Sequence, residues 1–124
     1  MLLGSLLKLT GNKFKKIPAK GISFDSRKIK KNDVFFSISG NSESGHKFIK
    51  DAVLAGASAI ITDKKIKNKS YKIPLIKVNN VRKILSKACS EFYKIKPKNI
   101  IAITGTNGKS SVADFFYQIL KFNK

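Results

Sequence analysis

A short segment near the end of the chain has the residue types that bind phosphate. It reads GTNGKS over residues 105–110. Its glycines allow backbone N–H groups to converge on an anion, and Lys109 beside them could reach the terminal phosphates of a nucleotide. The Ser110 hydroxyl is a suitable ligand for a magnesium ion that bridges those phosphates. The segment therefore predicts a site for a nucleoside triphosphate.

The residues on either side of this loop place it between a strand and a helix. The apolar run at residues 100–103 predicts a short buried strand. After Lys109, apolar residues recur with the spacing of one helix face, which predicts a helix to about Leu120; they are Val112, Phe115, Phe116, Ile119 and Leu120. The general GxxxxGK[ST] pattern would need a glycine where Ile103 stands, so a loop that only caps a helix is the alternative.

Charge and composition limit the classes of partner. The formal net charge is +19, which would ordinarily raise nucleic acid as a partner. Lysines are nevertheless scattered along the chain, and a recognisable nucleic-acid module is absent. A lysine-rich surface without a nucleic-acid partner is the favoured interpretation. Because no segment has the ~20 apolar residues of a membrane span, we expect a cytoplasmic protein without a membrane partner. We also expect the protein to be a monomer.

Strand and helix patterns alternate along the first 97 residues and predict an α/β fold. Strands are expected around Ile22 and Phe24 and over residues 33–39, 59–62 and 74–78. Helices are expected over residues 46–57 and 80–93, the second with Asn80 or Asn79 as its N-cap. The short early strands favour a mixed sheet. The polar stretch around Pro97 suggests a first domain at 1–97 and the truncated start of a second, with its first strand, phosphate loop and helix, at 98–124.

Two isolated residues have simple structural interpretations. Cys89 is the single cysteine, so it can form no internal disulfide and is expected to be a small core residue. His46 is the single histidine and has no evident partner for metal binding or nucleophilic chemistry. A packing or capping role at a helix start is therefore the simpler prediction for it.

Two sets of motifs resemble the Mur ligases, which add amino acids to the UDP-linked precursor of peptidoglycan using ATP. The sequence TGTNGKSS at 104–111 is similar to that family's ATP loop, TGTNGKT followed by Thr or Ser. The sequence FDSR at 24–27, followed by DVFF at 33–36, GH at 45–46 and GA at 56–57, is similar to the family's N-terminal domain. Asn32 and Ser44 depart from that pattern, where the family usually has glycine and aspartate.

The resemblance implies roles for particular residues. It implies that the first domain binds the UDP-sugar, through Phe24, Ser26, Asn41, Ser42 and Glu43. It implies that the loop binds ATP, through Gly105, Thr106, Asn107, Gly108, Lys109, Ser110 and Ser111, with Lys109 as the catalytic residue and Ser110 as a ligand to Mg2+.

The resemblance also implies a reaction: ATP activates a carboxylate of a UDP-N-acetylmuramoyl peptide as an acyl phosphate, which an amino acid then attacks. The motifs favour the family member that adds the third residue to UDP-N-acetylmuramoyl-L-alanyl-D-glutamate. The member that adds D-alanyl-D-alanine, and a non-enzymatic basic module that binds phosphates or nucleic acid, are the alternatives. In either ligase case this chain would be a portion of the enzyme, inactive alone.

Overall fold

The chain forms two compact units in the computed structural model. They span Met1–Lys94 and Ile95–Lys124. The structure describes residues 1–9, 11–39, 45–64, 66 and 71–123. The first unit contains the sheet, and the second contains the glycine loop and one helix among its described residues.

A four-stranded sheet forms the centre of the first unit. Its strands are β1 (Gly21–Ser23), β2 (Asp33–Phe36), β3 (Ala59–Thr62) and β4 (Leu75–Lys77), and they lie in the sheet in the order of the chain. All three strand pairings are parallel. The carboxyl ends of the strands therefore meet at one edge, where ligands of open α/β sheets usually bind.

The two central strands are buried on both faces, which explains why DVFF and AIIT are almost uniformly apolar. Val34, Phe36 and Ile61 face one side, and they pack with the helices α1 (Leu3–Leu7) and α3 (Val81–Phe92). Phe35 and Ile60 face the other side and pack with α2 (Ile49–Leu54). Short 3-10 turns at Asn12–Phe14, Ser26–Lys28 and Gly45–Phe48 complete the connections.

The helix predictions agree closely with the observed elements. Helix α3 begins after Asn80, whose side-chain oxygen accepts a hydrogen bond from the Lys83 N–H at 2.9 Å. Of the two predicted caps, Asn80 is therefore the one observed. Cys89, within α3, is partly buried and free. The apolar face after the glycine loop forms α4 (Lys109–Phe122), as its spacing predicts.

Asn32 has a backbone conformation that explains its departure from the family pattern. Its φ is +72°, in the left-handed region that glycine enters freely and that asparagine tolerates better than most residues. The Asn32 N–H donates to the Gly56 carbonyl, and the Asn32 carbonyl accepts from the Lys20 N–H, both at 2.9 Å. The position therefore needs a residue that tolerates positive φ, which asparagine supplies in place of glycine.

Two predictions about the strands need correction. The α/β fold is confirmed, but the sheet is parallel instead of mixed; the one antiparallel pairing in the described part of the chain is an isolated bridge between Leu2 and Pro18. Residues 100–103 form no strand. A strand needs a neighbour for its backbone hydrogen bonds, and residues 95–123 contain no other extended segment assigned to a sheet. In addition, no helix among the described residues has the length and apolar character to span a membrane.

Candidate functional site

A polar turn at the carboxyl end of β1 is held rigidly by its own side chains. Asp25 precedes the 3-10 turn, and its Oδ1 accepts a hydrogen bond from the Arg27 N–H at 3.1 Å. The Arg27 guanidinium also donates to both carboxylate oxygens of Asp25, each at 2.9 Å. Ser23 adds a hydrogen bond from its hydroxyl to the Asp25 carbonyl at 2.8 Å. The backbone of this turn is thus fixed before any ligand binds.

The same contacts set the charge state of the turn. Hydrogen bonds from the Arg27 side chain, and then from its backbone N–H, lower the pKa of Asp25 below its ordinary value. The carboxylate in turn raises the pKa of Arg27. The Asp25 carboxylate is therefore favoured in its ionised form, and it is paired with the Arg27 guanidinium.

Phe24 is the apolar residue that this turn presents to solvent. Its side chain is 67% exposed because β1 ends at Ser23 and the chain then turns at Asp25. Beside it is an open hollow of about 580 Å³. The hollow is lined by Phe24, Asp25, Ser26, Arg27, Phe48 and Asp51. Two predicted substrate residues, Phe24 and Ser26, therefore line one hollow, together with Phe48 from the turn before α2 and Asp51 from α2 itself.

Phe48 and Asp51 were missed by sequence reasoning. They lie in the turn and helix after the second strand, so nothing in their local pattern places them beside residues 24–27. The parallel sheet brings the two segments together. The other predicted substrate residues, Asn41, Ser42 and Glu43, lie outside the described residues.

His46 lies at the same edge of the sheet and bridges the ends of β2 and β3. Its Nδ1 lies 3.2 Å from the Ser37 hydroxyl and 3.4 Å from the Thr62 hydroxyl. Its Nε2 lies 3.5 Å from Asp63 Oδ1, without hydrogen-bond geometry. The predicted capping role is thus replaced by a tertiary one: no side-chain cap is present at the start of α2. Ser37 is fully buried, so this Ser-His-Asp set has no access to a substrate and is not a nucleophilic triad.

The glycine loop in the second unit has the backbone conformation that its sequence predicts. Gly105 and Gly108 have φ values of +152° and +75°, both in the region that disfavours side chains. Gly108 is the N-cap of α4, and no side chain there accepts a hydrogen bond from the first N–H groups of the helix. These N–H groups, which form the positive end of the helix dipole, are therefore not capped by a side chain. Helix N-termini with free backbone N–H groups are a common place for anions to bind in proteins.

Lys109 remains at this loop instead of extending away from it. Its ammonium donates hydrogen bonds to the carbonyls of Gly105 and, at 3.1 Å, of Thr106. The other predicted nucleotide-binding residues, Asn107, Ser110 and Ser111, are exposed around it. Ser110 lies in the first turn of α4 and is exposed. No cluster of three or more acidic, histidine or cysteine residues that could hold a metal occurs in the described part of the chain.

A parallel sheet with helices on both faces and a polar turn at its carboxyl edge makes this an α/β protein, a class in which ligands usually bind at that edge. A family model described as "Mur ligase family, catalytic domain" matches residues 18–93. The chain belongs to the Mur ligase family.

Relatives with established names agree with this assignment. The chain is 46% identical over 105 residues to the UDP-N-acetylmuramoyl-L-alanyl-D-glutamate--2,6-diaminopimelate ligase of Rickettsia montanensis, covering 85% of this chain and 22% of that protein. It is 46% identical over 110 residues to the ligase of the same name from Clostridium tetani, again covering 85% of this chain and 22% of the relative. The chain therefore spans about a fifth of the length of these relatives.

Solved structures show the same fold. The MurF ligase of Thermotoga maritima, solved in complex with ADP, is 27% identical, with a TM-score of 0.65 over 86% of this chain and 24% of that one. A structure of a UDP-N-acetylmuramoyl-L-alanyl-D-glutamate--2,6-diaminopimelate ligase has a TM-score of 0.77 and covers 99% of this chain and 26% of that one. Its identity is 22%, so it supports the fold alone.

Proposed function

We propose that this chain supplies the UDP-sugar-binding unit and the ATP loop of a peptidoglycan precursor ligase. The reaction adds the third amino acid to UDP-N-acetylmuramoyl-L-alanyl-D-glutamate through an acyl phosphate. The names of the similar proteins support 2,6-diaminopimelate as that amino acid. The observation that carries the proposal is the exposed Phe24 beside a locked polar turn, in a chain with this degree of identity to named ligases.

The chemistry of the hollow suits a nucleotide-sugar. A uracil ring needs an apolar face to stack on and a small number of directed hydrogen bonds, and Phe24 and Ser26 offer these side by side. Asp25 is already paired with Arg27, which is the one basic residue among those lining the hollow. Recognition here would therefore rest on stacking and hydroxyl or backbone groups more than on net charge.

The loop at residues 105–110 suits the phosphates of ATP. Backbone N–H groups at the start of α4 and the Lys109 ammonium would stabilise the charge on the phosphoryl group that is transferred. Ser110 would hold Mg2+, which neutralises charge on the bridged phosphates when bound. The carboxylate activation and the amide-forming step belong to the whole ligase, and this chain alone is expected to be inactive.

Replacing Phe24 tests the UDP-sugar site. We expect Phe24→Ala to weaken binding of UDP-N-acetylmuramoyl-L-alanyl-D-glutamate roughly ten- to hundredfold, because a stacking surface of this kind contributes about 1–3 kcal/mol per base. Isothermal titration calorimetry of this chain measures the effect. Leu54→Ala is the matched control, since Leu54 is also an exposed apolar residue but does not line the hollow. Equal affinity of Phe24→Ala and the wild type would refute the site.

Replacing Lys109 tests the ATP loop. We expect Lys109→Ala to reduce the affinity for Mg-ATP by about tenfold or more, because a charge-assisted contact to the terminal phosphates is lost. Fluorescence titration with a labelled ATP analogue measures this. Lys121→Ala removes the same charge from the last turn of the same helix and should leave binding unchanged. An equal loss of Mg-ATP affinity in both variants would indicate general attraction by the basic surface and would contradict a specific role for Lys109.

A further inference from the structure

We propose that Asp51 binds the ribose hydroxyls of the nucleotide-sugar in the hollow beside Phe24. This inference rests on the proposed UDP-sugar site and deepens it, because it assigns the nucleoside, and not the diphosphate, to this hollow. Asp51 is then a residue that helps to determine which nucleotides the site accepts.

Asp51 reaches the hollow from a helix that packs against the polar turn. Helix α2 contacts the Ser26–Lys28 turn, and Asp51 lies in the first turn of that helix. Phe48, at the start of the same helix, is partly buried and packs against the core cluster that contains Phe35. The start of α2 is thereby anchored, so tertiary packing sets where Asp51 lies relative to the turn.

The hollow is locally acidic on a strongly basic chain. The chain has 7 acidic residues against 26 lysines and arginines. Two of those acidic residues, Asp25 and Asp51, line the hollow, whereas Arg27 is its one basic lining residue. Two carboxylates and one guanidinium leave a net negative charge, which repels phosphate groups. A neutral nucleoside is not repelled in this way, so the hollow suits that part of the ligand.

Asp51 is the carboxylate that a ligand can use. Asp25 already accepts hydrogen bonds from the Arg27 N–H and guanidinium. Among the side chains that the structure describes, none donates a hydrogen bond to the Asp51 carboxylate or forms an ion pair with it. Asp51 is also exposed, so both of its oxygens are accessible to a ligand.

The chemistry of a carboxylate favours the ribose as its partner. An ionised carboxylate accepts hydrogen bonds and donates none, so the facing part of the ligand must supply donors. The neighbouring 2′ and 3′ hydroxyls of a ribose supply two, which matches two carboxylate oxygens. Acidic side chains in dinucleotide-binding folds bind the ribose 2′ hydroxyl in the same way. With uracil stacked on Phe24, the ribose would meet Asp51 and the diphosphate would leave the hollow.

The wild-type chain tests this contact without any substitution. UDP and 2′-deoxy-UDP are measured by competition calorimetry against UDP-N-acetylmuramoyl-L-alanyl-D-glutamate. We expect 2′-deoxy-UDP to bind about tenfold more weakly than UDP, because a hydrogen bond to a charged acceptor is lost. Equal affinity for the two nucleotides overturns the proposal.

Replacing Asp51 assigns that preference to one side chain. We expect Asp51→Ala to bind UDP about tenfold more weakly than the wild type and to prefer UDP over 2′-deoxy-UDP by less than about twofold, because the two changes remove the same hydrogen bond. Asp114→Ala is the control: it removes the same charge from an exposed residue outside the hollow and should keep the tenfold preference. An Asp51→Ala variant that keeps the preference, or that binds UDP more tightly, overturns the proposal.

The two proposals fail in different ways. A wild-type chain that does not bind the UDP-sugar refutes the proposed site and, with it, the ribose contact. A wild-type chain that binds the UDP-sugar and is weakened by Phe24→Ala, while Asp51→Ala keeps the preference for UDP, leaves the proposed function standing and refutes only the role of Asp51.

Discussion

At the scale of single residues, Asp25 and Arg27 show how a short motif fixes a turn. The carboxylate receives the backbone N–H and two guanidinium hydrogen bonds from one residue, so a single side chain caps and braces the segment. The positions of Phe24 and Ser26 are set by these hydrogen bonds more than by packing against the core. The types and order of these residues indicate their roles from the sequence, because the interactions are local.

The pH dependence of this turn follows from the lowered pKa of Asp25. A carboxyl group whose pKa is lower in the folded state contributes stability that is present above its unfolded value, near 3.8, and is lost as the pH falls through the lowered folded value. We expect a ¹³C NMR titration to give Asp25 a midpoint below 3.8. Arg27→Gln should raise that midpoint, because the hydrogen bonds that cause the shift are lost.

Lys28 provides the comparison for this titration. Its charge is the smallest contribution to the shift of the Asp25 pKa, so Lys28→Gln should move the midpoint much less than Arg27→Gln. Equal movement in the two variants would mean that general positive charge, and not the paired hydrogen bonds, sets the pKa.

At the same scale, the role of His46 could not be predicted. A lone histidine has no local signal for its partners, and Ser37, Thr62 and Asp63 come from two separate strand ends. The sequence gives one sign of these partners, which is that each is a polar residue at the end of an apolar strand. Only the parallel register of β2 and β3 brings them to one histidine.

At the scale of elements, periodicity predicted α3 and α4 well because each has a long apolar face, and it also placed the shorter α2. Helix α3 also has a local start signal in Asn80. The run at residues 100–103 shows the limit of such reasoning. Its apolar composition is suited to a strand, but a strand exists only as part of a sheet, and pairing is not encoded in four residues.

The cap of α3 is the prediction that belongs to this scale. Asn80→Ala removes the acceptor for the Lys83 N–H, and we expect a loss of about 1 kcal/mol in the free energy of unfolding. Chemical denaturation followed by circular dichroism measures it. Asn79→Ala is the matched control, since Asn79 is exposed and precedes the capping residue. A larger loss from Asn79→Ala than from Asn80→Ala would contradict the cap.

At the scale of the whole molecule, the α/β class could be predicted, but the direction of the strands could not. Short strands give no signal for parallel or antiparallel pairing, and the connection between β1 and β2 is short enough to suggest a reversal. The Ser26–Lys28 turn nevertheless lets the chain cross over and run parallel.

The net charge of +19 leads to a prediction at this scale. Binding to a mixed-sequence oligonucleotide should weaken by about 10³ or more between 50 and 200 mM salt, as expected for contacts made to phosphates by scattered lysines. Binding of the UDP-sugar should weaken by less than about tenfold, because stacking and hydroxyl contacts are not screened. Fluorescence anisotropy and calorimetry at the two salt concentrations measure this. If the chain still binds the oligonucleotide more tightly than the UDP-sugar at 200 mM salt, the basic-module alternative is favoured.

The order of the strands bears on how the protein emerges from the ribosome. Each strand pairs with the one synthesised just before it, so a nascent chain can extend the sheet as it lengthens, without waiting for distant sequence to fill a gap. Helix α1 is the exception, since its packing partner α3 is made about eighty residues later. Although α1 also packs against the central strands, the part of its apolar side that contacts α3 stays uncovered until α3 has been made, and a chaperone would meet that surface during synthesis.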